Sequence, residues 1–158
     1  RPGRTYPSPA EAEERLAAAR ATFERLRREN AGHGPVRTAE CAVFGAEEVV
    51  TLARAQAAGA VEARRRLCSP AEVQVLRVGD ACLVGLPGEA FVEYGLEIKR
   101  RAARRCFVIT LANGELQGYL VTPEAERAGG YEASMSLFTA EAGGRLVEQA
   151  LALVNRVG

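Results

Sequence analysis

Histidine is nearly missing from this sequence. Of 158 residues only His33 is one, and it stands between two glycines. No Ser-His-Asp set can be assembled, so hydrolysis by that triad is excluded, and a lone His in a glycine-flanked break reads as a solvated loop residue. The four cysteines, Cys41, Cys68, Cys82 and Cys106, are far apart and form no Cys-x-x-Cys pair. That spacing excludes a zinc knuckle or a redox pair, while Cys82 and Cys106, set in apolar runs, read as small core residues. Gly85, Gly88 and Gly95 do not make a G-x-x-x-x-G-K phosphate loop. No apolar run is long enough to cross a bilayer. An excess of one charge is missing too: 21 Lys and Arg face 20 Asp and Glu, a net +1, which leaves no general field to draw in nucleic acid or acidic lipid. The basic runs Arg64-Arg65-Arg66 and Lys99-Arg100-Arg101 with Arg104-Arg105 read as charges at helix C-termini, facing the dipole. Internal repeats, low-complexity tracts and linkers are also lacking. The sequence opens at Arg1 without initiator Met, signal peptide or targeting segment, which implies a longer polypeptide that has been cut or is shown in part.

What is present is the composition of an ordinary folded protein, 47% hydrophobic and 26% charged. A single domain over residues 1–158 is expected, large enough to bury about 68–70% of its unfolded surface. Ser8-Pro9-Ala10-Glu11 is a capping box, and Ala12, Leu16, Ala19, Phe23 and Leu26 follow at helical spacing, predicting a helix over 9–30. Residues 36–44 read as extended and 47–67 as one helix with Gly59 weakening its middle. Residues 73–78 and 81–86 flank Gly79-Asp80 as a hairpin. A helix is expected over 89–104, and the apolar run 106–111 reads as a central strand. A polar loop follows over 112–118. Thr122-Pro123 opens a short helix that Gly129-Gly130 stops, and a last helix opens near Thr139 with Leu146, Val147, Ala150, Leu151 and Val154 on one face. This order gives an α/β fold, a layered mixed sheet flanked by helices.

The residues able to do chemistry stand at the ends of these elements. Glu89 ends the run Leu86-Pro87-Gly88 behind a strand, where open α/β folds collect ligands. Asn113, Tyr119, Tyr131 and Glu132 occupy glycine-flanked segments after it. Each also has a plain structural role open to it. Glu89 can be a first-turn carboxylate stabilising a helix by about 0.3–1 kcal/mol, Asn113 a turn former, and the tyrosines core aromatics with a hydrogen-bonded hydroxyl.

Taken in order, Val75-Leu76-Arg77-Val78-Gly79-Asp80, Leu83-Val84-Gly85-Leu86-Pro87-Gly88-Glu89, Leu111-Ala112-Asn113, Gly118-Tyr119-Leu120-Val121-Thr122-Pro123-Glu124 and Gly130-Tyr131-Glu132-Ala133-Ser134 resemble the neutral/alkaline, non-lysosomal ceramidase family. In that family zinc is held by two histidines, a glutamate and a tyrosine, and activates water against the amide of N-acylsphingosine. The resemblance implies that Glu89 and Tyr119 are zinc ligands and that Tyr131 is a catalytic hydrogen-bond donor to the substrate amide or its oxyanion. Asn113 and Glu132 would orient them. The family's histidines and catalytic serine lie upstream of the matching region, so this sequence is expected to be the C-terminal part of the catalytic domain, with the N-terminal half as its partner. By analogy the protein would be secreted or in the cell envelope, with contact to a membrane surface and to a lipid amide substrate. Two other readings stand beside this one: a non-catalytic α/β module that binds a partner or small polar ligand, and a zinc hydrolase of the same scaffold acting on a different amide or ester.

Overall fold

The structure, a computed structural model, describes residues 4–67, 70–114 and 118–157. Cys68, Ser69 and residues 115–117 of the expected polar loop lie outside the described residues. In chain order the elements are α1 (Pro9–Arg28), α2 (His33–Ala57), α3 (Ala60–Leu67), β1 (Gln74–Val78), β2 (Ala81–Gly85) and β3 (Glu89–Ala90). They continue with α4 (Val92–Arg101), β4 (Arg105–Ile109), β5 (Tyr119–Leu120), α5 (Pro123–Ala128), α6 (Tyr131–Met135) and α7 (Glu141–Arg156). The chain forms two compact units. A helical unit comprises Thr5–Arg65 and Gly129–Met135, and a sheet unit comprises Arg1–Arg4, Arg66–Ala128 and Ser136–Gly158. Among the described residues no helix is long and apolar enough to cross a membrane.

In the helical unit the capping box forms as read. The Ser8 backbone N–H and hydroxyl donate to Glu11 Oε2 at 2.8 and 2.7 Å, and Ser8 Oγ accepts from the Glu11 N–H at 3.3 Å. These bonds hold the Glu11 carboxyl below its ordinary range. Residues 36–44 are not extended; they belong to α2. Pro35 sits in the first turn of that helix, where its missing N–H costs nothing, and the buried positions Ala39, Val43, Val50 and Ala53 continue one helical stripe. His33 is the first residue of α2 rather than a loop residue. The expected single helix over 47–67 breaks at Gly59, whose φ of 75° ends α2 before α3 begins. Arg20–Glu47 at 2.7 Å and Arg54–Glu13 at 2.6 Å fix α1 and α2 in opposite directions, and Gln56 trades two bonds with the backbone of Tyr6.

In the sheet unit β1 and β2 form the expected antiparallel hairpin, with Val78 opposite Ala81 across Gly79-Asp80. β4 lies parallel to β2, Cys82 beside Cys106 and Val84 beside Val108. The sheet is therefore mixed, in the order β1-β2-β4, with α4 as the crossover of a β-α-β unit. One face carries the core: Cys82, Val84, Ile98, Cys106, Val147, Ala150 and Val154 pack together with α4 and α7. Cys82 and Cys106 are buried free thiols, as their setting predicts. The expectation that 106–111 is a central strand is corrected, since β4 is at the edge of the three strands described. Lys99, Arg100 and Arg101 do occupy the last turn of a helix, but Arg105 opens β4. Arg101 joins α4 to α7 through Glu148 at 2.6 and 3.1 Å.

Candidate functional site

Because β2 and β4 are parallel, their C-terminal ends lie side by side, and the chain leaving each end builds the site. After β2 the backbone stays locked to the exit of β4. Leu86 N–H donates to Ile109 O at 2.8 Å, Ala112 N–H to Leu86 O at 3.0 Å, and Leu111 N–H to Gly88 O at 3.0 Å. Leu86 is 1% exposed and anchors this run in the core. The turn opposite it is wound tightly, with Leu111 at φ 55° and Asn113 at φ 59°. A leucine in the left-handed region costs roughly 1–2 kcal/mol, a strain that the three bonds to residues 86–88 offset.

Glu89 then forms β3, paired in parallel with β5. The register sets Glu89 against Tyr119 and Ala90 against Leu120, and Phe91 N–H continues the ladder to Leu120 O at 3.1 Å. Register partners in a parallel pair stand about 4.8 Å apart with side chains on the same face. Two side chains that are distant in sequence thus become neighbours, the carboxylate exposed and the phenol half-buried. The buried Leu120 and Val121, at 2% and 1% exposure, fix β5 from behind. Glu89 does not open a helix. α4 starts only at Val92, and the acid in its first turn is Glu93, so the dipole role passes to Glu93.

Asn113 is tied to the same scaffold. Its Nδ2 donates to Gly85 O at 3.4 Å, which ties the exit of β4 to the last residue of β2. Gly85 is needed for that approach, because a Cβ there would lie 2.6 Å from Asn113 Nδ2. Asn113→Gly, which keeps the left-handed backbone and removes only the amide, is expected to cost up to about 1 kcal/mol. Gly85→Ala should cost a similar amount by expelling the same side chain. In urea denaturation the double variant should lose no more than either single one; additive losses would show that the two positions are not linked.

Tyr131 and Glu132 open α6 in the helical unit, both exposed, Tyr131 at 37%. Tyr131 borders an open-mouthed cavity of about 380 Å³ lined by residues of α1 and α2 and by the start of α6. That cavity is the feature the sequence reading missed. An extended reading of 36–44 hides the helical spacing of Thr38, Cys41, Gly45 and Val49, which is the signal that marks it.

As a metal site, Glu89 and Tyr119 offer a carboxylate and a phenol, oxygen donors suited to zinc. Among the described residues no three His, Cys, Asp or Glu side chains gather to hold an ion. A carboxylate and a phenol alone fall short of the three or more protein ligands usual for zinc. Comparisons with protein-family models, with curated proteins and with solved structures find no match to this chain.

Proposed function

We propose that this chain is the C-terminal part of the catalytic domain of a ceramidase-like zinc amidohydrolase, acting on the amide of N-acylsphingosine or a related lipid amide. The observation that carries this reading is the register of β3 on β5, which makes Glu89 and Tyr119 neighbours. Those are the two positions onto which the family's oxygen ligands fall. When bound, zinc supplies a water of pKa near ~7 and polarises the substrate carbonyl. Glu89 and Tyr119 would hold the ion from one side, with histidines outside this sequence completing the set. The resemblance alone assigns Tyr131, which lies in the helical unit, the hydrogen bond to the oxygen on which charge develops.

The outer face of the sheet supports the idea of a larger catalytic domain. Leu76 and Phe107, at 51% and 50% exposure, and Val78 and Ile109, at 65% and 50%, line the face opposite α4 and α7. All-parallel sheets are covered on both faces, whereas antiparallel ones can leave a face to water, and a solvated face normally carries polar side chains rather than these four apolar ones. A further layer of the same domain would bury these side chains.

The test is hydrolysis by a zinc-loaded polypeptide that joins these residues to the histidine- and serine-bearing segments the resemblance implies. Release of sphingoid base from N-acylsphingosine is the expected result, and Tyr131→Phe should lower kcat about 10²–10³-fold with little change in KM. Turnover of other amides or esters alone would transfer the reading to a different substrate, and an unchanged kcat would remove Tyr131 from the chemistry.

A further inference from the structure

The cavity of the helical unit has a composition of its own. Its volume, about 380 Å³, falls within the roughly 300–1,000 Å³ of small-ligand sites. Small side chains create it. Cys41, Ala42, Gly45 and Ala46 of α2 line it where larger residues would fill the space, with the fully buried Ala12 of α1 opposite. Gly45 also sets how closely α6 approaches, because a Cβ there would come within 2.8 Å of Ser134 Oγ. That hydroxyl is already committed, donating to Tyr131 O at 2.7 Å, so the interior wall presents little that is polar and free.

The rim is different. Arg15 of α1 is exposed there and is the cation lining the cavity. Glu11, one helical turn back, is capped by Ser8 and also feels the charge of Arg15, and Glu13 pairs with Arg54. Arg15 itself makes neither a salt bridge nor a side-chain hydrogen bond among the described residues. A guanidinium with open donors at the mouth of an apolar cavity matches a planar carboxylate carrying an apolar tail.

We propose that this cavity binds an amphiphilic anion, a medium-chain carboxylate whose tail lies along the small-residue face of α2 and whose headgroup meets Arg15. The proposal stands on the helical unit alone and requires neither metal nor catalysis. It is therefore tested separately from the hydrolase reading.

Cys41, half-buried in the cavity wall, is the reporter. Cys82 and Cys106 are 0% and 5% exposed, and Cys68 is replaced by Ser so that alkylation reports on Cys41. The rate of N-ethylmaleimide labelling of the full chain is measured against rising octanoate, with octanol as the neutral probe of equal tail. Octanoate should slow labelling saturably, about tenfold at ten times its apparent Kd. Arg15→Gln should raise that Kd about tenfold for octanoate and leave octanol unchanged. Ala46→Leu, which fills the cavity, should abolish protection by both. Absence of saturable protection, an octanoate Kd indifferent to Arg15→Gln, or equal affinity for the two probes would each overturn the proposal. Should Ala46→Leu fail to fold, the exposed Arg15→Gln still decides.

Discussion

Glu89→Gln is expected to strip the metal from the zinc-bearing polypeptide while leaving its fold intact. The substitution keeps the size and shape of the side chain and removes the negative charge that a ligand must carry. Changes to residues that merely hydrogen-bond a zinc ligand weaken metal affinity by about 10–100-fold, so loss of an anionic ligand should exceed about 100-fold. Zinc per chain after identical purification, near one in the wild type and near zero in the variant, is the measurement. Tyr119→Phe should move it in the same direction.

The structure makes this result diagnostic, because it removes the stabilising role that would otherwise confound it. Glu89 lies in β3, outside the first turn of α4. No helix dipole is lost in the variant, so with both proteins stripped of metal by chelator its unfolding free energy in urea should change by no more than about 0.5 kcal/mol, as for other exposed substitutions. A metal change without a stability change points to a ligand. The reverse would make Glu89 a scaffold residue, and absence of zinc from both proteins would favour the non-catalytic binding module.

How far these positions were legible in the sequence depends on how local their causes are. The capping box at Ser8, the Gly79-Asp80 turn and the Thr122-Pro123 start are short-range devices, and each forms where the residues place it. The Thr122 hydroxyl, for instance, accepts from Ala125 N–H at 3.2 Å. The 36–44 segment misleads because Gly34-Pro35 reads as a break, although proline is welcome in a first helical turn. Glu89 misleads for a similar reason: the helix it was expected to open is delayed by a two-residue strand whose partner, Tyr119, lies beyond α4 and β4. Nothing local encodes that pairing. Glu89 and Tyr119 stand out as candidates from their places at element ends, their role as ligands rests on resemblance, and their adjacency emerges only from the parallel register. The small-residue stripe of α2 is present in the sequence at helical spacing, and an extended reading of its segment hides it.

Gly143 and Gly144, adjacent and alike in sequence, are expected to respond to alanine with opposite signs. Both lie in the first turn of α7, and helix propensity alone would have either substitution stabilise by up to about 1 kcal/mol. At Gly144 a Cβ meets nothing within 4 Å, so Gly144→Ala should deliver that gain. At Gly143 the Cβ would fall 2.2 Å from Tyr94 Cζ and 2.5 Å from its hydroxyl oxygen. The ring cannot yield without loss. Tyr94 is 6% exposed, and its hydroxyl faces Val121 O at 2.7 Å and Ala140 O at 3.1 Å, joining α4 to β5 and to the start of α7. Burial first, and then the nearby Glu124, Glu126, Glu97 and Glu93, push its pKa up to about 12, so it remains a donor across the neutral range. Overpacking costs roughly 1–3 kcal/mol and stranding a buried carbonyl about 1–3 kcal/mol more. Gly143→Ala should therefore destabilise by about 1–5 kcal/mol net of the propensity gain, set against the roughly 5–15 kcal/mol that holds a domain together. Urea midpoints at constant m-value would measure both variants. Tyr94→Leu in the Gly143→Ala background should restore part of the loss by removing the clashing ring. Equal responses at the two glycines would mean that Tyr94 does not rest on α7, and with it would go the packing that holds β5, and so Tyr119, beside Glu89.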